Sequence, residues 1–148
     1  MWVRVRGRRG CTKNGRVGIP RSQKVNDAWL RWTPGRFCVG WIEPESSGRV
    51  PLSAVDAATD GGVDLVCLMA ANNETGVLQP VRGAAELVHR AGAMILVDAT
   101  QAAGRMSLDQ QVDDFDFLVV SAHKMYGPKG VGALVGQGLG EAAAPSGL

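Results

Sequence analysis

PVRGAAELVHRAGAMILVD, residues 80–98, decides the fold. Val81, Ala84, Ala85, Leu87, Val88 and Ala91 share one face of a helix over Val81–Ala91. Pro80 suits its first turn and Gly92 is placed to end it. Two residues later Met94–Val97 reads as a buried strand that stops at Asp98. A helix feeding directly into an apolar strand is the repeating unit of an α/β protein.

Working outward, the same grammar continues on both sides. Cys38–Ile42 reads as a short strand, with turn residues Glu45-Ser46-Ser47-Gly48 after it. Leu52–Ala58 suits a short helix, and Val63–Met69 a buried strand. Downstream, Phe115–Val120 and Val131–Val135 are further short apolar runs. Strands alternating with helical stretches predict an α/β fold with a mainly parallel sheet. Few strands fit between residues 37 and 135, so the sheet reads as incomplete.

The 148 residues carry a net charge of +2, which hides a division. Residues 1–36 hold ten Lys or Arg and one acid, a charge of +9, and the remainder carries −7. Gly and Pro punctuate this head, and it shows no sustained period of 2 or 3.6. We read it as a disordered or non-native extension rather than a nucleic-acid-binding arm, because nothing spaces its Trp residues against its charges. Residues 136–148 read as an irregular tail. Apolar runs such as Val66 to Ala71 are far too short to span a membrane. Three cysteines without a C-x-x-C motif argue against a disulfide framework and for a reducing, cytoplasmic setting.

Ligands of open α/β sheets gather at the carboxyl ends of strands. Three polar clusters sit at such ends: Asn72-Asn73-Glu74-Thr75-Gly76, Asp98-Ala99-Thr100-Gln101 and Ser121-Ala122-His123-Lys124. Taken singly, each also suits a turn, a helix cap or a solvated surface. Together their chemistry is coherent. A strand-end lysine can form a Schiff base with an aldehyde cofactor. A neighbouring carboxylate can keep a pyridine nitrogen protonated, and Ser, His and backbone N–H groups can hold a phosphate. The Gly127-Pro128-Lys129-Gly130-Val131-Gly132 stretch permits close backbone approach but lacks the order of a nucleotide P-loop.

These three motifs, with the continuation Met125-Tyr126-Gly127-Pro128-Lys129-Gly130-Val131-Gly132, resemble the cysteine desulfurases. These are class-V, fold-type-I pyridoxal-phosphate enzymes. The resemblance covers about Arg36 to Val135. It implies part of a three-layer α/β/α large domain over residues 37–135, present as a central fragment. It implies pyridoxal 5'-phosphate as cofactor, with Lys124 as the catalytic residue that carries it and later moves protons on the substrate. By the same resemblance Asp98 pairs with the ring nitrogen, Gln101 bonds the phenolic oxygen, and Asn73 lies near the substrate side. Ser121 and His123 hold the phosphate.

The family removes sulfur from L-cysteine as an enzyme persulfide, works as a homodimer, and passes sulfur to acceptor or scaffold proteins for iron–sulfur clusters or tRNA thiolation. The sequence departs from the family in three ways. No cysteine follows Lys124 to take the sulfur, and Cys67 reads as a small core hydrophobe. The head lacks the family's cofactor-stacking histidine and phosphate-binding threonine. The carboxyl-terminal small domain is missing. His89, on the helix, reads as a surface residue. Two other readings stay open: another class-V enzyme, such as a selenocysteine lyase or aminotransferase, and a non-catalytic remnant.

Overall fold

The computed structural model describes residues 3–6, 38–60, 62–108 and 114–136. In chain order they form β1 (Val3–Arg6), β2 (Cys38–Trp41), α1 (Leu52–Asp60), β3 (Leu65–Met69), α2 (Val81–Arg90), β4 (Met94–Asp98), β5 (Phe117–Ser121), a 3-10 turn (Ala122–Lys124) and β6 (Gly132–Gly136). The six strands build one sheet in the order β2-β1-β3-β4-β5-β6. β3, β4 and β5 are parallel neighbours, whereas β1 and β6 pair antiparallel to theirs. Four strands therefore run one way and two the other, a mixed but mostly parallel α/β sheet.

The expected elements from Cys38 onward recur with bounds shifted by up to two residues. One strand is new. Val3–Arg6, which the sequence reading placed in a head outside the fold, forms β1 between β2 and β3. Its Val-Arg-Val-Arg alternation is a two-residue period, too short at four residues to stand out from the basic run around it. The rest of the head and the tail beyond residue 136 lie outside the described residues.

The helix that decides the fold ends as its sequence suggests. Gly92 adopts φ +72°, its N–H donates to the His89 carbonyl, and Ala93 N–H donates to the Val88 carbonyl at 3.0 Å. This is a Schellman closure, which glycine enters without a Cβ clash. Val81, Ala84, Ala85 and Val88 are buried and pack with Val66, Leu68, Ile95 and Val97 in a single core cluster. Burying each such Val, Leu or Ile contributes about 1.5–3 kcal/mol. α1 packs on α2. The contact is close because Gly83 has no side chain: a Cβ there would lie 2.9 Å from Leu52 Cδ1.

Strand alternation separates two faces. Val66, Leu68, Ile95, Val97 and Leu118 are buried, whereas Leu65, Cys67, Met69, Leu96 and Val119 on the other face are half-buried. Among the described residues, no helix is long and apolar enough to cross a membrane.

Candidate functional site

Register brings the three polar clusters to one edge of the sheet. Met69 pairs with Asp98, and Asp98 with Val119. The loops after β3, β4 and β5 therefore leave from adjacent strands at the same level.

Asp98 ends β4 and is exposed. Its Oδ1 accepts Thr100 N–H at 2.9 Å, the bond of an Asx turn. Its carbonyl accepts Ala70 N–H at 2.8 Å. Ala99, Ala102 and Ala103 are buried beneath the turn. They anchor the half-buried Gln101 between them.

The cluster after β3 is a closed loop. Asn72 Oδ1 accepts the N–H groups of Glu74 and Thr75, both at 2.9 Å. Gly76 N–H donates to the Asn72 carbonyl at 3.0 Å, and Gly76 takes φ +71°. Asn72 is thus consumed in shaping the loop, and Asn73 is left exposed. The sequence reading assigned Asn73 and passed over Asn72. The signal was present: Asn four residues before Gly is the pattern of an Asx-closed turn.

Beyond β5, Ser121 Oγ lies 2.8 Å from His123 Nδ1, so hydroxyl and imidazole form one polar unit. Lys124 closes the 3-10 turn, half-buried, and its ammonium has no partner among the described residues. Met125 and Gly127 both donate to the Ala122 carbonyl, at 2.9 and 2.8 Å. Tyr126 is fully exposed with φ +64°, a strained backbone for a residue with a bulky side chain. Two glycines make the turn possible. A Cβ at 127 would lie 2.8 Å from Ala122 Cβ, and one at 132 would lie 2.8 Å from the Val120 carbonyl oxygen.

An open cavity of about 610 Å³ lies between the first two clusters, lined by Asn72, Asn73, Glu74, Gln101, Ala102 and Arg105 among others. It brings Asn73 and Gln101 to one space. Asp98, Ser121, His123 and Lys124 share the sheet edge but are not in its lining. Arg105 was not anticipated; a single basic residue after a glycine carries no signal of its own.

The remaining reactive groups lie elsewhere. Cys67 is a free thiol on β3, and burial pushes it up to about 11. At neutral pH it is protonated and a poor nucleophile. Cys11 lies outside the described residues, and Cys38 opens β2. His89 is exposed, as expected, but it is paired: its Nε2 lies 2.8 Å from Asp116 Oδ2, which also accepts Ile95 N–H at 2.7 Å. Among the described residues, no group of His, Cys, Asp and Glu could hold a metal ion.

The aminotransferase class-V family profile matches residues 29–147. A cysteine desulfurase of Cereibacter sphaeroides is 50% identical over 93 residues, which are 63% of this chain and 24% of that protein. The apo cysteine desulfurase structure from Thermococcus onnurineus NA1 is 32% identical with a TM-score of 0.61, over 67% of this chain and 25% of its own. The structure of DndA from Streptomyces lividans is 38% identical with a TM-score of 0.60, over 66% of this chain and 27% of its own. The chain thus spans about a quarter of the length of the relatives it matches.

Proposed function

Because the chain belongs to the aminotransferase class-V family, we propose that it carries the pyridoxal-phosphate-binding centre of a cysteine desulfurase. The observation that supports this most is the convergence of the Asn73, Asp98 and Ser121–Lys124 clusters on one sheet edge.

The residues fit the cofactor. Lys124 offers an amine that no described residue engages. Asp98 offers a carboxylate held by one bond to its own turn. Ser121 and His123 offer linked donors for a phosphate. The Gly127 and Gly132 positions leave backbone where a side chain would collide.

When bound, pyridoxal phosphate supplies an electron sink for breaking bonds at the substrate's carbons. The chain's own residues bind and orient. Lys124 would hold the cofactor through its aldehyde and would move a proton at the substrate's α-carbon. Asp98 keeps a proton on the ring nitrogen, and Gln101 donates its amide to the phenolic oxygen. Asn73 orients the substrate side, and Ser121 and His123 fix the phosphate.

The proposal extends to L-cysteine as substrate, a homodimer as the working form, acceptor or scaffold proteins as sulfur partners, and a cytoplasmic setting. It does not extend to Cys67 as the sulfur carrier, since its thiol stays protonated. We therefore expect Cys67 to take up no sulfur when the chain meets L-cysteine and the cofactor, and persulfide on Cys67 would overturn that. The test is absorbance on adding pyridoxal phosphate to the purified chain. A visible band that borohydride fixes covalently in the wild type, and that Lys124→Ala abolishes, is the expected result. No band in the wild type, or an equal one in Lys124→Ala, refutes the assignment.

A further inference from the structure

One buried residue ties three separate stretches of backbone together. Gln79 is 7% exposed. Its Oε1 accepts Val50 N–H at 2.9 Å, and its Nε2 donates to the Gly48 carbonyl at 2.9 Å. Its own N–H donates to the Ala70 carbonyl at 2.9 Å, and its carbonyl accepts Val81 N–H at 2.9 Å. Side chain and backbone together thus join the turn before α1, the end of β3 and the start of α2. Both ends of the amide are used, as a buried amide requires.

The loop of residues 71–78 hangs from this clamp. Within itself it is closed: Ala71 and Leu78 form an antiparallel bridge, and Asn72 N–H donates to the Val77 carbonyl at 3.0 Å. Such a loop can tilt as a unit about its root. The root has two sides. Ala70 is held by the Asp98 carbonyl at 2.8 Å. Gln79 is held by Gly48 and Val50. The turn of Gly48 also meets the loop directly, since a Cβ there would lie 3.5 Å from Val77 Cγ2.

We infer that Gln79 is a positioning residue, whose buried amide sets where the 71–78 loop, and with it Asn73, lies over the cavity opposite Gln101. Its geometric part stands alone, and its functional part rests on the cofactor assignment above. Asn73 itself accepts and donates nothing that would hold it in place among the described residues. Its location is therefore inherited from the loop, and the loop's from its root. Losing the Gly48 or Val50 bond frees one side of the root and leaves the Ala70–Asp98 side intact.

The test compares the full chain with Gln79→Glu, which keeps an acceptor for Val50 N–H but sets a carboxylate oxygen against the Gly48 carbonyl. Gln79→Met, of similar length, gives the same comparison if burial of the charge prevents folding. Hydrogen exchange is read first. The expected result is exchange about tenfold faster at residues 48–50 and 70–78, the scale of one lost buried hydrogen bond, with α2 and β4 protected as in the wild type. Acceleration spread evenly over the chain marks a general stabiliser and overturns the inference.

Pyridoxal phosphate affinity, from absorbance titration, is read second. The Kd is expected to rise about tenfold in the Gln79 variant, with Asn73→Ala adding less than about twofold on top of it. Unchanged affinity with a loosened loop, or fully additive losses, overturns the inference. If the wild type takes up no cofactor, the proposed function fails, and the exchange pattern alone decides the clamp.

Discussion

Gly127→Ala tests whether the turn carrying Lys124 is as tightly built as its geometry implies. A Cβ at this position would lie 2.8 Å from Ala122 Cβ, 3.0 Å from its carbonyl oxygen and 3.2 Å from its carbonyl carbon. None of these atoms is the end of a flexible side chain. Two are backbone, and the third is bonded to it. Carbon atoms rest about 3.5–4.0 Å apart, so the two segments must part by roughly 1 Å. That parting breaks the Gly127 N–H bond to the Ala122 carbonyl, now 2.8 Å. Losing it costs about 0.5–1.5 kcal/mol, and the overpacking costs about 1–3 kcal/mol more.

We expect a total near 2–4 kcal/mol by these terms. Gly130 is the control. It has φ +81° with nothing within 4 Å of a built Cβ, so Gly130→Ala carries backbone strain alone, about 1–2 kcal/mol. Urea unfolding of the three proteins, with equal slopes, reads the differences directly. Because Ala122 begins the turn that ends at Lys124, Gly127→Ala should also lower pyridoxal phosphate uptake more than Gly130→Ala does. Wild-type stability in Gly127→Ala, or a larger loss in Gly130→Ala, refutes the steric reasoning.

Further expectations concern the core, the α2 anchor and the buried thiol. Ile95, fully buried on β4, should cost about 2–5 kcal/mol as Ile95→Ala but about 0.5–1.5 kcal/mol as Ile95→Val, measured by chemical denaturation. Asp116→Ala should destabilise more than His89→Ala, because it also orphans the Ile95 N–H. The exposed His89–Asp116 hydrogen bond alone is worth less than about 1 kcal/mol, and the unmet Ile95 donor adds about 1–3 kcal/mol; equal losses in thermal unfolding would contradict this. The folded Cys67 thiol is raised from 9.0 to about 11. Its contribution to stability is therefore complete below pH 9 and falls away as pH rises toward 11. Cys67→Ala should flatten that alkaline decline, and native Cys67 should resist alkylation at pH 8 until urea is added.

The order of strands and helices from Cys38 to Gly136 was legible because each buried element is a short apolar run closed by a breaker. Gly92 after α2 and Asp98 after β4 are examples. β1 was not legible. Four alternating residues inside a basic run carry too little pattern, and only pairing with β2 and β3 reveals them as a strand. The strand-end clusters could be read from chemistry, since Lys, Asp and Gln at successive strand ends restrict what binds there. The supporting bonds could not. Gln79 reaches Gly48 and Val50 across 31 and 29 residues, and nothing local in its neighbours marks an amide that will be buried. Arg105 entered the cavity lining for the same reason: the fold brings its turn beside the Asn72–Gly76 loop.

The seat of β1 bears on how the sheet assembles in time. β3, α2, β4 and β5 follow one another along the chain and can pair by short-range contacts. Within the sheet, β2 pairs with β1 among the described residues, so its place in the ladder waits on a strand more than thirty positions away in sequence. Bringing together strands so far apart in sequence carries an entropic cost that grows slowly with the separation. Because β1 is an interior ribbon, changes within Val3–Arg6 should slow the pairing of β2 more than that of β3, β4 and β5.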